Sequence, residues 1–142
     1  MKVLDELAAS LITGDDEETA RLTADAVAAG IPARTILDEG LLAAMSVVGE
    51  RFKRHDIFLP DVLMAAKAMN AGTRILKPLL LGGNAPPAGK VVIGTVRGDL
   101  HDIGKNLAAI MLRGKGYEVI DLGKDLPAQA FVDAAEKEGA AV

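Results

Sequence analysis

The sequence contains no cysteine, which excludes disulfide bonds, thiolate metal ligands and a thiol nucleophile. Aromatic side chains make up only 3% of the 142 residues, so a core must be built from aliphatic side chains and alanine. The net charge of −4 argues against nucleic acid or an anionic membrane as the main partner. No apolar run approaches bilayer-spanning length, and the acidic first thirty residues are unlike a signal peptide. We therefore expect a soluble cytoplasmic protein.

Apolar residues recur at helical spacing through the first half of the chain and predict helices there. Gly14 ends the first helix and Gly30 ends the second, because glycine commonly follows a helix C-terminus. The inner face of the second helix is predicted to be formed by Ala20, Ala24 and Val27.

Two further helices are predicted before residue 82. The third opens at Pro32, and Gly40 bends or interrupts it. The fourth runs from Pro60 to about Leu81 and is apolar almost all round, which predicts burial on several sides. The loops between the four predicted helices are short, and short loops join antiparallel neighbours. The first 82 residues are therefore expected to form a four-helix bundle.

Glycines and prolines between residues 82 and 89 mark a domain boundary. We assign residues 1–82 to the helical bundle, 83–89 to a linker and 90–142 to a second domain. In that domain, the apolar periodicity predicts strand, helix, strand and helix, with the first residues of a third strand at 140–142. This alternation is typical of an α/β fold with a parallel sheet.

Between the first strand and the helix that follows it lies a polar loop with Asp99 and His101. Ligands bind at the carboxyl ends of parallel strands. A neutral imidazole is a good metal ligand, and Asp99 can accept its second N–H. The alternative is a histidine that hydrogen-bonds Asp99 with no metal. A phosphate loop is excluded because five residues separate Gly98 from Gly104 and Asn106 replaces the required Ser or Thr. The glycine spacing also excludes a dinucleotide fingerprint.

The stretch Gly98-Asp-Leu-His-Asp-Ile-Gly-Lys-Asn106 resembles the loop of cobalamin-binding domains. The likeness extends to the small corrinoid proteins of methyltransferase systems and to the cobalamin-binding module of methionine synthase. It implies a helical cap followed by a flavodoxin-like, Rossmann-type parallel sheet. It also implies that His101 binds cobalt in place of the cofactor's own base, the base-off, His-on form. The other cofactor-binding positions implied for this loop are Asp99, Asp102, Ile103 and Gly104.

The same resemblance assigns a role to the start of the fourth helix. Phe58-Leu-Pro60 matches the position at which the family supplies an apolar cap over the upper face of the corrin. The implied cap residues are Phe58, Leu59 and Leu63. The alternative for Phe58 is a hydrophobic staple that packs at the helix start.

The family resembled here has a five-stranded sheet, with a Ser or Thr loop after the third strand and a later Gly-Gly, and this sequence contains neither. We therefore expect a truncated sheet in which one edge of strand 91–96 is bare. The chain is accordingly expected either to be a fragment or to have that edge covered by another copy, as a homo-oligomer, or by a partner.

The function implied by the resemblance is that of a corrinoid carrier rather than a stand-alone enzyme. A substrate-specific methyltransferase would load a methyl group onto cobalt, and an acceptor methyltransferase would remove it. Two alternatives stay open at this point: a cobalamin-dependent sensor module, and a truncated fragment unable to hold the cofactor.

Overall fold

A computed structural model describes residues 1–80 and 89–142, except for the side chains of Ile103 and Leu107. The chain folds as two compact units, Met1–Ala85 and Pro86–Val142. The linker predicted at 83–89 lies outside the described residues, apart from Gly89.

The described part of the first unit is entirely helical, as the periodicity predicts. Its elements are α1 (Lys2–Ile12), α2 (Asp16–Ala28), α3 (Ala33–Thr35), a π-helical segment (Ile36–Leu42), α4 (Ala43–Lys53) and α5 (Leu59–Leu80). Because α3, the π-helical segment and α4 follow one another without a break, these elements form four helical rods. The four-helix bundle expected from the sequence is therefore confirmed.

Gly40 lies in the π-helical segment, so the predicted interruption of the third helix is a change of winding rather than a break. The backbone of Gly40 is buried against α1. A Cβ atom built on Gly40 would lie 2.8 Å from Leu7 Cδ2. Glycine at this position therefore lets the third rod approach the first rod closely.

The prediction for the inner face of α2 is wrong. The buried residues of α2 are Thr19, Leu22, Thr23 and Ala26, whereas Ala24 is exposed. The buried hydroxyl groups have partners: Thr19 Oγ1 donates to Asp15 O at 2.6 Å, and Thr23 Oγ1 donates to Thr19 O at 2.7 Å. Because a threonine hydroxyl can bond the carbonyl one turn back, it enters the core without an unsatisfied polar atom.

Helix α5 is buried on one side only, so the prediction that it is buried on several sides is wrong. The residues of α5 that are buried are Val62, Ala65, Ala68, Met69, Gly72 and Leu76. Large apolar side chains elsewhere on the helix are exposed, including Leu63, Met64 and Leu79, and so is Phe58 just before it. The apolar composition of a helix sets how much of its surface can be buried. The positions of the neighbouring helices decide how much of that surface is buried in the fold.

The second unit alternates strands and helices: β1 (Lys90–Ile93), α6 (Ile103–Gly114), β2 (Glu118–Asp121) and α7 (Ala128–Glu138). Strands β1 and β2 pair in parallel, with Lys90 opposite Glu118. An isolated parallel bridge between Val96 and Leu126 continues the pairing beyond the strands. The predicted α/β fold is confirmed, and the loops that follow β1 and β2 lie next to each other.

The other edge of β1 is not bare. Val92 N donates to Val142 O at 2.8 Å, and Ala141 N donates to Lys90 O at 3.1 Å. Residues 141–142 therefore occupy the position predicted for a third strand and cover part of the edge expected to be open. A second copy over the remainder of this edge stays a prediction, which light scattering on the purified chain would check.

Candidate functional site

The loop after β1 is held by its own turn and by a buried side chain. Asp99 N donates to Val96 O at 3.1 Å, and Gly98 between them has a φ of +83°, which favours glycine. Thr95, which is buried, donates its hydroxyl to His101 O at 2.9 Å. These bonds fix the backbone on both sides of the Asp99 and His101 side chains.

Asp99 and His101 are brought together by this loop. Asp99 Oδ1 accepts from His101 N at 2.9 Å and lies 2.6 Å from His101 Nδ1. The His101 backbone N–H, and then the imidazole, hold the pKa of Asp99 below its ordinary value. Because an ionised carboxylate has no proton to donate, Nδ1 carries the hydrogen of this bond. In the neutral imidazole, Nε2 then has a free lone pair, and the side chain is 99% exposed.

This arrangement fits a ring nitrogen that binds a metal from outside. A carboxylate is a usual second partner of a metal-binding imidazole, and here it fixes the tautomer and the plane of the ring. Cobalamin, the cofactor that the resemblance of this loop implies, would need a nitrogen ligand of this kind from the protein. His101 has the donor atom, the orientation and the exposure for that role.

The remaining loop positions predicted from the resemblance lie at the start of α6. Asp102 is the N-cap residue of α6, and its carboxylate is 3.9 Å from Lys124 Nζ. A Cβ atom on Gly104 would meet nothing within 4 Å, so the first turn of α6 leaves room for a ligand close to the backbone. The side chain of Ile103 lies outside the described residues.

The residues predicted to form the cap lie at the start of α5 in the first unit. Phe58 is 70% exposed, Leu63 is 48% exposed and Leu59 is half-buried. Asp61 Oδ2 accepts from Phe58 N at 2.9 Å, which is the bond that the third residue of a helix makes in a capping box. The exposure of its ring shows that Phe58 is not packed as a hydrophobic staple would be.

An ion pair between a largely buried lysine and a more exposed aspartate joins α6 to the end of β2 and was not anticipated from the sequence. Lys105, whose side chain is only 10% exposed, donates to Asp121 Oδ1 at 2.8 Å and to Oδ2 at 3.1 Å. Burial raises the pKa of Asp121, but the bonds from Lys105 and from Gly123 N outweigh it, so this pKa lies below its ordinary value. The position of Asp121 at the end of a predicted strand was the signal in the sequence that could have indicated this ion pair.

Asp121→Asn should destabilise the second unit by about 2 kcal/mol at neutral pH, between the values typical of exposed and buried ion pairs. The folded-state pKa of Asp121 is lowered. The contribution of the ionised Asp121 to the free energy of unfolding is therefore complete above the unfolded-state pKa of about 4. It is lost as the pH falls through the folded-state pKa. Urea unfolding followed by the fluorescence of Tyr117, the only tyrosine, checks this.

Asp133→Asn serves as the matched control for that measurement. Asp133 is an exposed aspartate of α7 that accepts from Gln129 Nε2 at 2.8 Å. Its substitution should change the stability of the second unit by less than about 0.5 kcal/mol, as is usual at surface positions. A destabilisation by Asp121→Asn that persists undiminished below pH 3 would contradict the assignment to an ionised Asp121.

Comparison with protein families identifies the chain in both of its units. A family model described as a B12 binding domain matches residues 3–77, and a second model with the same description matches residues 89–142. The chain belongs to the B12-binding domain family. The resemblance stated for the loop is confirmed, and the cofactor of this B12-binding chain is a corrinoid.

Curated relatives of this B12-binding chain are corrinoid proteins. A corrinoid protein of Desulfitobacterium hafniense is 42% identical over 99% of this chain and 66% of its own length. Trimethylamine corrinoid protein 1 of Methanosarcina mazei is 43% identical over 87% of this chain and 58% of its own length. The B12-binding chain thus spans less than two thirds of the length of these relatives.

Solved structures give the same result for the fold. The structure of the methanol:cobalamin methyltransferase complex of Methanosarcina barkeri contains a chain that is 34% identical to this one, with a TM-score of 0.89. The match covers 98% of this chain and 54% of the length of that chain. A cobalamin-binding protein of D. hafniense has a TM-score of 0.73 and 30% identity over 96% of this chain and 65% of its own. These neighbours confirm the predicted helical unit and the Rossmann-like sheet unit.

Among residues 1–80 and 89–142, no helix combines the length and the apolar character needed to cross a bilayer.

Proposed function

We propose that this chain is a corrinoid methyl carrier in which His101 is the axial ligand of cobalt and the cofactor's own base is displaced. One observation carries the proposal. His101 presents an open Nε2 while Asp99 holds its Nδ1 at 2.6 Å, in a domain of the B12-binding family. Carboxylate support of this kind orients a metal-binding imidazole and raises its basicity.

The other residues of the loop have supporting parts in this proposal. Asp99 orients the imidazole, and Asp102, Ile103 and Gly104 line the path of the displaced nucleotide tail at the start of α6. Glycine suits the last of these positions because a side chain there would occupy space that is open in the structure. Bound cobalamin would supply a cobalt centre that accepts and releases a methyl group.

The proposed partners are a substrate-specific methyltransferase that loads the methyl group and an acceptor methyltransferase that removes it. The similarity to a methanol:cobalamin methyltransferase complex and to a trimethylamine corrinoid protein supports this class of partner. Residues 1–82 are proposed as the helical cap and 90–142 as the cobalamin-binding part, joined by the linker at 83–89.

Electron paramagnetic resonance of the chain loaded with cobalt(II) cobalamin tests the proposal. With natural-abundance nitrogen, one axial nitrogen splits each cobalt line into a triplet. Protein labelled with ¹⁵N-histidine should change the triplet into a doublet, because the axial nitrogen then belongs to the protein. If the splitting instead follows ¹⁵N placed in the cofactor's benzimidazole, His101 is not the ligand and the proposal is wrong.

Phe58→Ala should leave the fold and the axial ligand unchanged but expose the upper face of bound methylcobalamin. Because Phe58 is 70% exposed, its loss removes no packed core side chain. We expect photolysis of the methyl–cobalt bond under aerobic conditions to become faster, since the radical pair is less confined and oxygen reaches it more easily. The measurement is the loss of the methylcobalamin absorbance under constant illumination.

Leu79→Ala is the matched control, because Leu79 is an exposed apolar residue near the other end of α5. Its photolysis rate should equal that of the wild type. Equal rates for Phe58→Ala and Leu79→Ala would remove Phe58 from the proposed cap.

A further inference from the structure

The loop that follows β2 makes direct contacts with the His101 loop. Gly98 N donates to Asp125 Oδ1 at 2.9 Å, and Asp125 N donates to Asp99 O at 3.2 Å. Asp125 therefore uses its side chain as an acceptor and its backbone as a donor. The two groups that it holds belong to consecutive residues, Gly98 and Asp99, and the second of these is the aspartate that orients His101.

Asp125 also has an unusual backbone conformation. Its φ is +57°, a left-handed value that favours glycine and that aspartate and asparagine tolerate better than other residues do. Residues persist in this region when surrounding contacts determine their conformation. Backbone hydrogen bonds on both sides of Asp125 hold its conformation: Leu126 N donates to Thr95 O at 3.0 Å, and Thr95 N donates to Gly123 O at 2.9 Å.

We propose that Asp125 is a positioning residue for the cobalt ligand: it fixes the Gly98–Asp99 backbone, and thereby the carboxylate that orients His101. The reason is the backbone freedom of Gly98. Gly98 has the widest backbone freedom of any residue type and precedes Asp99 directly, so a bond from outside the loop restricts that peptide more than the turn of the loop does alone. The Asp125 carboxylate supplies this bond from a neighbouring strand end, and the inference rests on the proposed role of His101.

The sequence of this chain allows a test that separates the lost acceptor from backbone strain. Asp125→Asn keeps an oxygen acceptor and tolerates a left-handed φ, so it should behave like the wild type. Asp125→Gly removes the acceptor but accepts a φ of +57° without strain, so a defect cannot be attributed to a forced backbone.

The first measurement uses the cofactor-free chain. Amide hydrogen exchange of Gly98, followed by nuclear magnetic resonance, should become faster by up to about tenfold in Asp125→Gly, as expected for the loss of one hydrogen bond. It should stay near the wild-type rate in Asp125→Asn. An unchanged Gly98 rate in Asp125→Gly would overturn the proposed bond, whatever the chain does with cobalamin.

The second measurement uses cobalamin itself at saturating concentration. Electron paramagnetic resonance gives the fraction of cobalt(II) that carries a histidine nitrogen, and a titration gives the affinity. We expect Asp125→Gly to lower both, the affinity by up to about tenfold, with Asp125→Asn near the wild type. A loosened Gly98 with an unchanged histidine-bound fraction would overturn the positioning role. If the wild type shows no histidine nitrogen, the proposed function itself fails, and with it the role of Asp125.

Discussion

His101→Ala should bind cobalamin at least about tenfold more weakly than the wild type and should lose the histidine nitrogen from the cobalt(II) spectrum. Loss of a group that merely orients a metal ligand typically costs about 10–100-fold in affinity. Loss of the ligand should cost no less. The fold should be unaffected, because the His101 side chain is 99% exposed and packs against no core.

The only other histidine provides the control. His55 is exposed on the first unit and has a left-handed φ of +63°, so His55→Asn removes the imidazole without adding strain. Absorbance titration with hydroxocobalamin should give the wild-type affinity for His55→Asn. Wild-type affinity in His101→Ala, together with an unchanged nitrogen splitting, would show that His101 does not bind cobalt.

Gly14→Ala is expected to be the most destabilising single substitution considered for the first unit. Gly14 forms the turn between α1 and α2 with a φ of +77°, and a Cβ atom there would lie 2.7 Å from Met64 Cβ. The left-handed backbone costs about 1–2 kcal/mol for alanine and the overpacking about 1–3, so we expect a loss of roughly 2–5 kcal/mol. Met64 Cβ is held close to the α5 backbone and cannot rotate away.

Gly30→Ala isolates the backbone part of this effect. Gly30 has a similar φ of +83°, but a Cβ atom there would meet nothing within 4 Å. We expect a loss of only about 1–2 kcal/mol from its left-handed conformation. Urea unfolding followed by far-ultraviolet circular dichroism measures both variants. Equal losses would mean that the approach of Met64 to Gly14 is not a tight contact.

The candidate ligand could be inferred from the sequence because it depends on local features, and the resemblance of the same loop to cobalamin-binding domains implied the cofactor. Asp99 and His101 lie two residues apart, so the turn that joins them needs no distant contact to bring them together. The same holds for α6, which runs from Ile103 to Gly114 as its apolar spacing and terminal glycine predict. Helix ends and short loops are determined mainly by residues within one turn of each other.

The faces that the helices bury were decided by the tertiary structure. Alanine and valine predicted one buried face of α2, yet the structure buries Thr19 and Thr23. Their hydroxyls can be buried because each donates to the carbonyl one turn earlier. The apolar character of α5 suggested burial on several sides, yet Leu63 and Met64 remain exposed. Periodicity describes a helix by itself, whereas burial depends on which neighbours reach each side.

The partners of the His101 loop were also decided by the tertiary structure. By itself, the sequence determined the two kinds of fold and the orienting pair Asp99–His101, and its resemblance to a known family implied the cofactor class. It did not determine that Asp125 would hold Gly98, 27 positions earlier in the chain, or that Asp121 would hold Lys105. Those contacts exist because parallel pairing of β1 with β2 places both strand ends side by side, and only the register of the folded sheet selects which residues meet.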